Sequence, residues 1–227
     1  MAGERLRIAV DCDEPLADMN TQLQKWHDRI YRKEGPPLGR EGIFTFELWD
    51  VWGCSKEEAI KRVYEFYESD YFNLIPPTKG SIDGVKALAK DNDLFILTSR
   101  QGVAVPYTKP FIDEHYFNKF EKIVFSGNYA LNAKGGSKAD ICLEEKADLL
   151  IDDCLSHVLD CHEKNIPAVL FDCPWNRDIA MQKKGFTKLP SGIVRACGWE
   201  EVVQAVKLLK EGKEDFYRIR EYRELLI

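Results

Sequence analysis

Short runs of apolar, often β-branched residues recur along the chain at Ile8 to Val10, Leu94 to Leu97, Lys122 to Phe125, Leu149 to Ile151 and Ala168 to Phe171. None alternates with polar positions, which is the pattern of strands buried on both faces. Between them the apolar positions take helical spacing, at about Ser81 to Lys90, Lys109 to Phe117, Ser137 to Glu145 and Leu155 to Lys164, several opened by a capping residue. Strand and helix in alternation predict an α/β fold, a parallel sheet with helices on both faces. In such sheets ligands gather at the carboxyl ends of the strands.

The interval from Leu16 to Pro77 breaks the alternation. Its pattern predicts a helix from Ala17 to Lys33, a loop "EGPPLGREG", an aromatic segment "IFTFELWDVWG" and a second helix from Ser55 to about Glu68, with Ser55 and Glu58 as a capping box. The interval reads as a small, mainly helical domain of residues 17–76, inserted into a core made of residues 1–16 and 77–227. The tail "LLKEGKEDFYRIREYRELLI" alternates charge and bulk like a surface helix.

Composition narrows the function classes. The 227 residues include 44% hydrophobic positions, enough for a sizeable core, and the formal net charge is −6. That balance disfavours a polyanion partner, because phosphate-backbone affinity needs clustered Lys and Arg; a small anion needs only a few local cations. No signal-length or membrane-length apolar run is present, so a cytoplasmic protein without membrane contact is expected. Seven cysteines, an odd number without a C-x-x-C pair, read as reduced thiols. Cys154, His157 and Cys161 would share a helix face and offer three zinc ligands, but a face packed on the core is the preferred reading.

Four pieces carry candidate chemistry, and each has a plain structural alternative. Asp11 and Asp13, at the end of the first strand, lie two apart and can address one site, although a solvated turn accounts for a lone D-x-D. Thr98 follows the strand Leu94 to Leu97, with Ser99 and Arg100 next to it; alone, Thr98 would be a helix cap. Lys138, in the first turn of a helix, would alone be an exposed lysine. Asp152 and Asp153 directly follow an apolar strand, and adjacent carboxylates there repel unless a cation or hydrogen-bond donors neutralise them.

In this order the four pieces resemble the signature motifs of the haloacid dehalogenase superfamily of phosphohydrolases. With the insert after the first motif, "LIPPTKGSIDGVKAL", "LLIDD" and "VLFDCPWN", the chain is similar to the 5'(3')-deoxyribonucleotidase family. The resemblance implies a Rossmann-like core with a helical cap inserted after the first strand. It implies Asp11 as nucleophile, forming an aspartyl phosphate, and Asp13 as general acid/base. Thr98, Ser99, Arg100 and Lys138 would bind the phosphate. Mg²⁺ would be held by the carboxylates of Asp11 and Asp152 and the carbonyl of Asp13, with Asp153 holding a water or an outer partner. The substrate would be a small phosphomonoester, a nucleoside monophosphate above all, with a homodimer left open. Among Trp26, Phe44, Phe46, Trp49 and Trp52, most are expected in the cap core, with Phe44 and Trp49 singled out as base contacts. Glu14 departs from the pattern, standing where most relatives carry glycine. It motivates one alternative, a non-catalytic nucleotide-binding protein; a phosphatase for another small phosphate is the other.

Overall fold

The computed structural model describes residues 5–32, 35–100, 102–126, 136–177, 181, 185 and 187–212. Six strands form one sheet in the order β3-β2-β1-β4-β5-β6: β1 (Arg7–Val10), β2 (Asp93–Thr98), β3 (Ile123–Phe125), β4 (Leu149–Asp152), β5 (Ala168–Phe171) and β6 (Ile193–Ala196). All five pairings are parallel, with Val10 level with Ile96 on one side and Ile151 on the other. The parallel sheet is therefore observed as expected, with β6 added beyond the five strands that the apolar runs predict.

Absence of alternation along the strands has a direct cause. Ile8, Val10, Leu94, Ile96 and Ile151 face one core and Ala9, Phe95, Leu97, Leu150 and Leu170 the other, so consecutive residues are all buried. The first face is covered by α5 (Ser81–Leu88), α6 (Val105–His115) and α9 (Trp199–Lys210), through Val85, Ile112 and Val202. The second is covered by α7 (Lys138–Glu144) and α8 (Leu155–Glu163), through Cys142, Val158 and Cys161. Burying one such aliphatic side chain contributes about 1.5–3 kcal/mol. Cys161 is thus a core residue, as preferred over the zinc reading, and His157 turns instead to Asp152 at 3.2 Å.

After β1 come α1 (Met19–Ile30), a 3-10 turn at Arg40–Gly42, α2 (Leu48–Trp52), α3 (Lys56–Tyr67) and α4 (Asp70–Asn73). Their apolar sides meet around Leu23, Trp26 and Phe66 and are continuous with the first face's core. Trp52 stacks on His27 with ring centroids 4.2 Å apart. Trp26 and Trp52 are packing residues.

Several boundaries differ from the sequence expectation. α6 starts at Val105 rather than Lys109, because Pro106 sits in the first turn, where a missing N–H costs nothing. Ser55 caps α3 by accepting from the Glu58 amide at 3.2 Å, but the Glu58 carboxylate turns to Arg62 at 3.0 Å and the box stays half made. Ser137 and Asp140 make the full reciprocal box at the start of α7. Of the expected surface helix in the tail, residues 208–210 end α9 and residues 213–227 lie outside the described residues, as do Lys33 and Glu34. No helix among the described residues is long and apolar enough to cross a membrane.

Candidate active site

Each strand end delivers a polar side chain to the same edge. Asp11 leaves β1 with its amide still bonded to Ile151 O at 2.9 Å, which fixes the carboxylate beside the end of β4. Asp152 ends β4 and Asp153 follows it. The capping box at Ser137 starts α7 so that Lys138 points under this edge. Lys138 Nζ lies 2.9 Å from Asp11 Oδ1 and 2.7 Å from Asp152 Oδ2, and its side chain is fully buried.

Among the described residues, Asp11, Asp152 and Asp153 form a group whose ligand atoms lie within 4.8 Å of one another. The Asp13 carboxylate is not in it: Arg100 donates to Asp13 Oδ1 from both Nη2 (2.6 Å) and Nε (2.9 Å). Arg100 is itself buried, donates from Nη1 to Thr108 and lies over the Phe72 ring. The sequence reading of Arg100 as a phosphate anchor thus meets a guanidinium already committed to Asp13. Thr98 is fully buried, and its hydroxyl accepts from the Arg100 amide at 3.2 Å.

A cavity of about 220 Å³ opens above this edge. Its floor includes Asp11, Asp13, Ser99, Arg100, Asp153 and His157, and its other wall is apolar, with Leu23, Phe46, Trp49, Ile60 and Val63 from the segment between β1 and β2. Trp49, singled out as a base contact from the sequence, lines the cavity. Phe44 is not among the lining residues and is half exposed; Phe46 takes that place, its edge held against Trp175. Asn20 and His157 line the cavity as well, and neither was singled out for this site from the sequence. The i, i+5 spacing of Asp152 and His157 was the available signal.

Crowding sets the electrostatics. Burial, with Asp152 and Asp13 nearby and Lys138 opposing, pushes the Asp11 carboxyl up to about 7. Burial and the charges of Asp152 and Asp11 push Asp153 well up. Burial also works against the Asp152 charge, but Lys138 and His157 hold that carboxyl below the usual range. His157 rises to about 11: burial opposes its charge, and Asp152 outweighs burial. Three converging carboxylates, two of them hard to ionise while no cation is near, fit a divalent cation bound by oxygen ligands. Were Mg²⁺ the cation held there, Asp11 would have to lose its proton to ligate, and affinity should fall at least about tenfold from about pH 8 to about pH 6. Calorimetric titration at the two pH values, with proton release read from buffers of different ionisation enthalpy, checks this.

Residues 5–210 match the family described as "5' nucleotidase, deoxy (Pyrimidine), cytosolic type C". No curated protein sequence matches. Among solved structures, a haloacid dehalogenase-like hydrolase from Streptococcus pneumoniae aligns with a TM-score of 0.62 at 14% identity, over 89% of this chain and 98% of its own. A subfamily IA hydrolase of the same superfamily from Geobacter sulfurreducens aligns with a TM-score of 0.55 at 17% identity, over 89% and 96%. A family hydrolase from Deinococcus radiodurans, solved with bound phosphate and sodium, aligns with a TM-score of 0.61 at 9% identity, over 93% and 98%. These likenesses give the fold as that of the haloacid dehalogenase superfamily.

Proposed function

The chain belongs to the cytosolic type C deoxy 5'-nucleotidase family, and from that premise we propose that it hydrolyses nucleoside monophosphates, deoxyribonucleotides included, through an aspartyl phosphate on Asp11. The observation that carries this reading is the meeting of Asp11, Asp152, Asp153 and Lys138 at one sheet edge beneath a cavity with an apolar far wall.

A carboxylate oxygen of Asp11 attacks phosphorus in line, and the nucleoside oxygen leaves. Asp13, on the cavity floor, gives that oxygen its proton and then takes one from the water that cleaves the acyl phosphate. Both Arg100 contacts fall on Asp13 Oδ1, which leaves Oδ2 outside that pair. Lys138 keeps its charge despite burial, because Asp11 and Asp152 raise its pKa, and it offsets the negative charge that builds on the phosphoryl oxygens. Mg²⁺, bound by Asp11, Asp152, Asp153 and the Asp13 carbonyl, would supply neutralisation between an anionic nucleophile and an anionic substrate.

Glu14 does not argue for a non-catalytic protein. Its carboxylate turns from the cavity and is taken by Arg40 Nη2 and the Asn20 amide, both at 2.8 Å. On the far wall, Trp49 offers an indole face to a nucleobase, with Lys56 Nζ 5.3 Å from the ring centroid. Base stacking on such a ring contributes about 1–3 kcal/mol. Trp49→Ala should therefore raise KM for nucleoside monophosphates about 5- to 150-fold while leaving hydrolysis of β-glycerophosphate, which has no base, nearly unchanged. Phosphate release from a panel of ribo- and deoxyribonucleotides and sugar phosphates tests the reading. Turnover confined to sugar phosphates would replace it with the other phosphatase reading, and nucleotide binding without turnover would reject it.

A further inference from the structure

The inserted segment and the acidic edge are joined by a chain of side-chain contacts that passes through Arg40 and Trp175. On the insert side, Arg40 Nη2 pairs with Glu14 Oε2 at 2.8 Å and donates to Cys173 Sγ at 3.2 Å, and the guanidinium carbon stands 5.6 Å from the Trp175 ring centroid. Phe46 meets the same ring edge-on at 5.7 Å, and Glu41 pairs with Arg177 at 3.0 Å. On the core side, Trp175 Nε1 donates to Asp153 Oδ2 at 2.7 Å, and Asn176 Nδ2 donates to the Asp153 carbonyl at 2.8 Å. Trp175 is thus held on one side by the insert, and on the other it fixes a carboxylate of the acidic group.

Glu14 gives the second arm of this connection. It has φ of +72°, a conformation that costs a side-chain-bearing residue about 1–2 kcal/mol and that glycine adopts freely. Such strain persists only where the surroundings over-determine it. Here the carbonyls of Glu14, Pro15 and Leu16 are each bound by a different element: Thr78 Oγ1 at 2.5 Å, Trp199 Nε1 at 2.6 Å and Tyr116 OH at 2.7 Å. Glycine in this position would relieve the backbone but could not reach Arg40. The glutamate therefore ties the turn that carries Asp13 to the insert, through a pair whose acid is almost wholly buried. A buried ion pair gives little net stability for the desolvation it requires, so its value here is geometric.

We propose that Arg40 and Trp175 are positioning residues that couple the docking of residues 40–46 to the metal-binding geometry, Trp175 by holding Asp153 and Arg40 by holding both Trp175 and the Glu14 turn. This rests on the divalent-cation reading of the Asp11, Asp152 and Asp153 group. The relevant readout is metal affinity, measured on the full chain with Mn²⁺ by electron paramagnetic resonance. Trp175→Phe keeps a ring beneath Arg40 and beside Phe46 but has no N–H for Asp153, and should weaken Mn²⁺ binding about tenfold or more. Arg40→Met should weaken it about 2- to 30-fold, and the two changes together should have less than their summed effect, since one of the two routes from Arg40 runs through the Trp175 contact. Equal Mn²⁺ affinity in the wild type and Trp175→Phe, or additive effects of the two changes, would overturn the proposal. Should Trp175→Phe fail to fold, unchanged affinity in Arg40→Met overturns it. Wild-type protein that takes up no Mn²⁺ would overturn the metal reading and this inference with it.

Discussion

Asp11→Asn should lose phosphate release by about 10³-fold or more and yet melt at a higher temperature than the parent at pH 8 without metal. The first effect follows from the chemistry: an amide oxygen cannot form the acyl phosphate. The second follows from linkage. Burial raises the Asp11 carboxyl from 3.8 to about 7. Between those values the folded chain holds a proton that the unfolded chain has released, so this group's contribution to stability falls as pH rises and its cost is complete above about 7. Asparagine removes that cost while still accepting from the Cys12 amide and Lys138, which meet Asp11 Oδ1 at 2.7 and 2.9 Å. Each kcal/mol so recovered raises Tm by about 2–4 °C in a chain of this size. Opposite shifts in activity and stability would identify a group kept for reactivity. A variant within tenfold of wild-type activity would rule out Asp11 as nucleophile.

The parts of this arrangement that were legible in the sequence are those with local causes. Strand interiors were readable because both faces of the sheet are covered, which leaves uninterrupted apolar runs such as Leu149 to Ile151. The start of α7, and so the place of Lys138, was readable from the Ser137 cap. Elements without a local signal were not. Gly198 precedes α9 with no side-chain cap, α2 has five residues and shows no period, and β6 has four between a proline-glycine turn and the helix. Contacts between distant segments were the least legible. In "IFTF" both phenylalanines fall on the same side of an extended chain, and only the presence of Trp175 selects Phe46 over Phe44. Arg100 has the composition of a phosphate anchor and the position of one, and only the fold reveals that Asp13 already holds it. Glu14 looked like misplaced charge beside the nucleophile until Arg40, 26 residues away, supplied its partner.

Removing the Lys138 ammonium from the acidic edge should have the largest effect on stability. Lys138→Met is close in length and apolar, so it fills the space but leaves Asp11 and Asp152 without the charge that sits 2.9 and 2.7 Å from them. Breaking a buried pair this way costs about 3–5 kcal/mol, because the partners remain buried and uncompensated, and would lower Tm by roughly 6–20 °C. His157 stays beside Asp152 as an imidazolium and spares part of that cost; Asp11 gains no such partner. The carboxylates can recover charge balance in two ways, by taking up protons or by binding a divalent cation. Mg²⁺ should therefore raise the Tm of Lys138→Met by more than it raises that of the wild type, and the difference should shrink as pH falls and protons take the cation's place. On the proposed mechanism activity should not return with stability, because a bound cation would not replace the charge that Lys138 brings to the phosphoryl oxygens, and turnover should stay about 10²- to 10³-fold below wild type. Thermal melts and phosphate release across a Mg²⁺ series separate the two roles. If stability and turnover recovered together, Lys138 would be a neutralising counter-ion and nothing more, and the charge on the transferred group would have to be met by another residue.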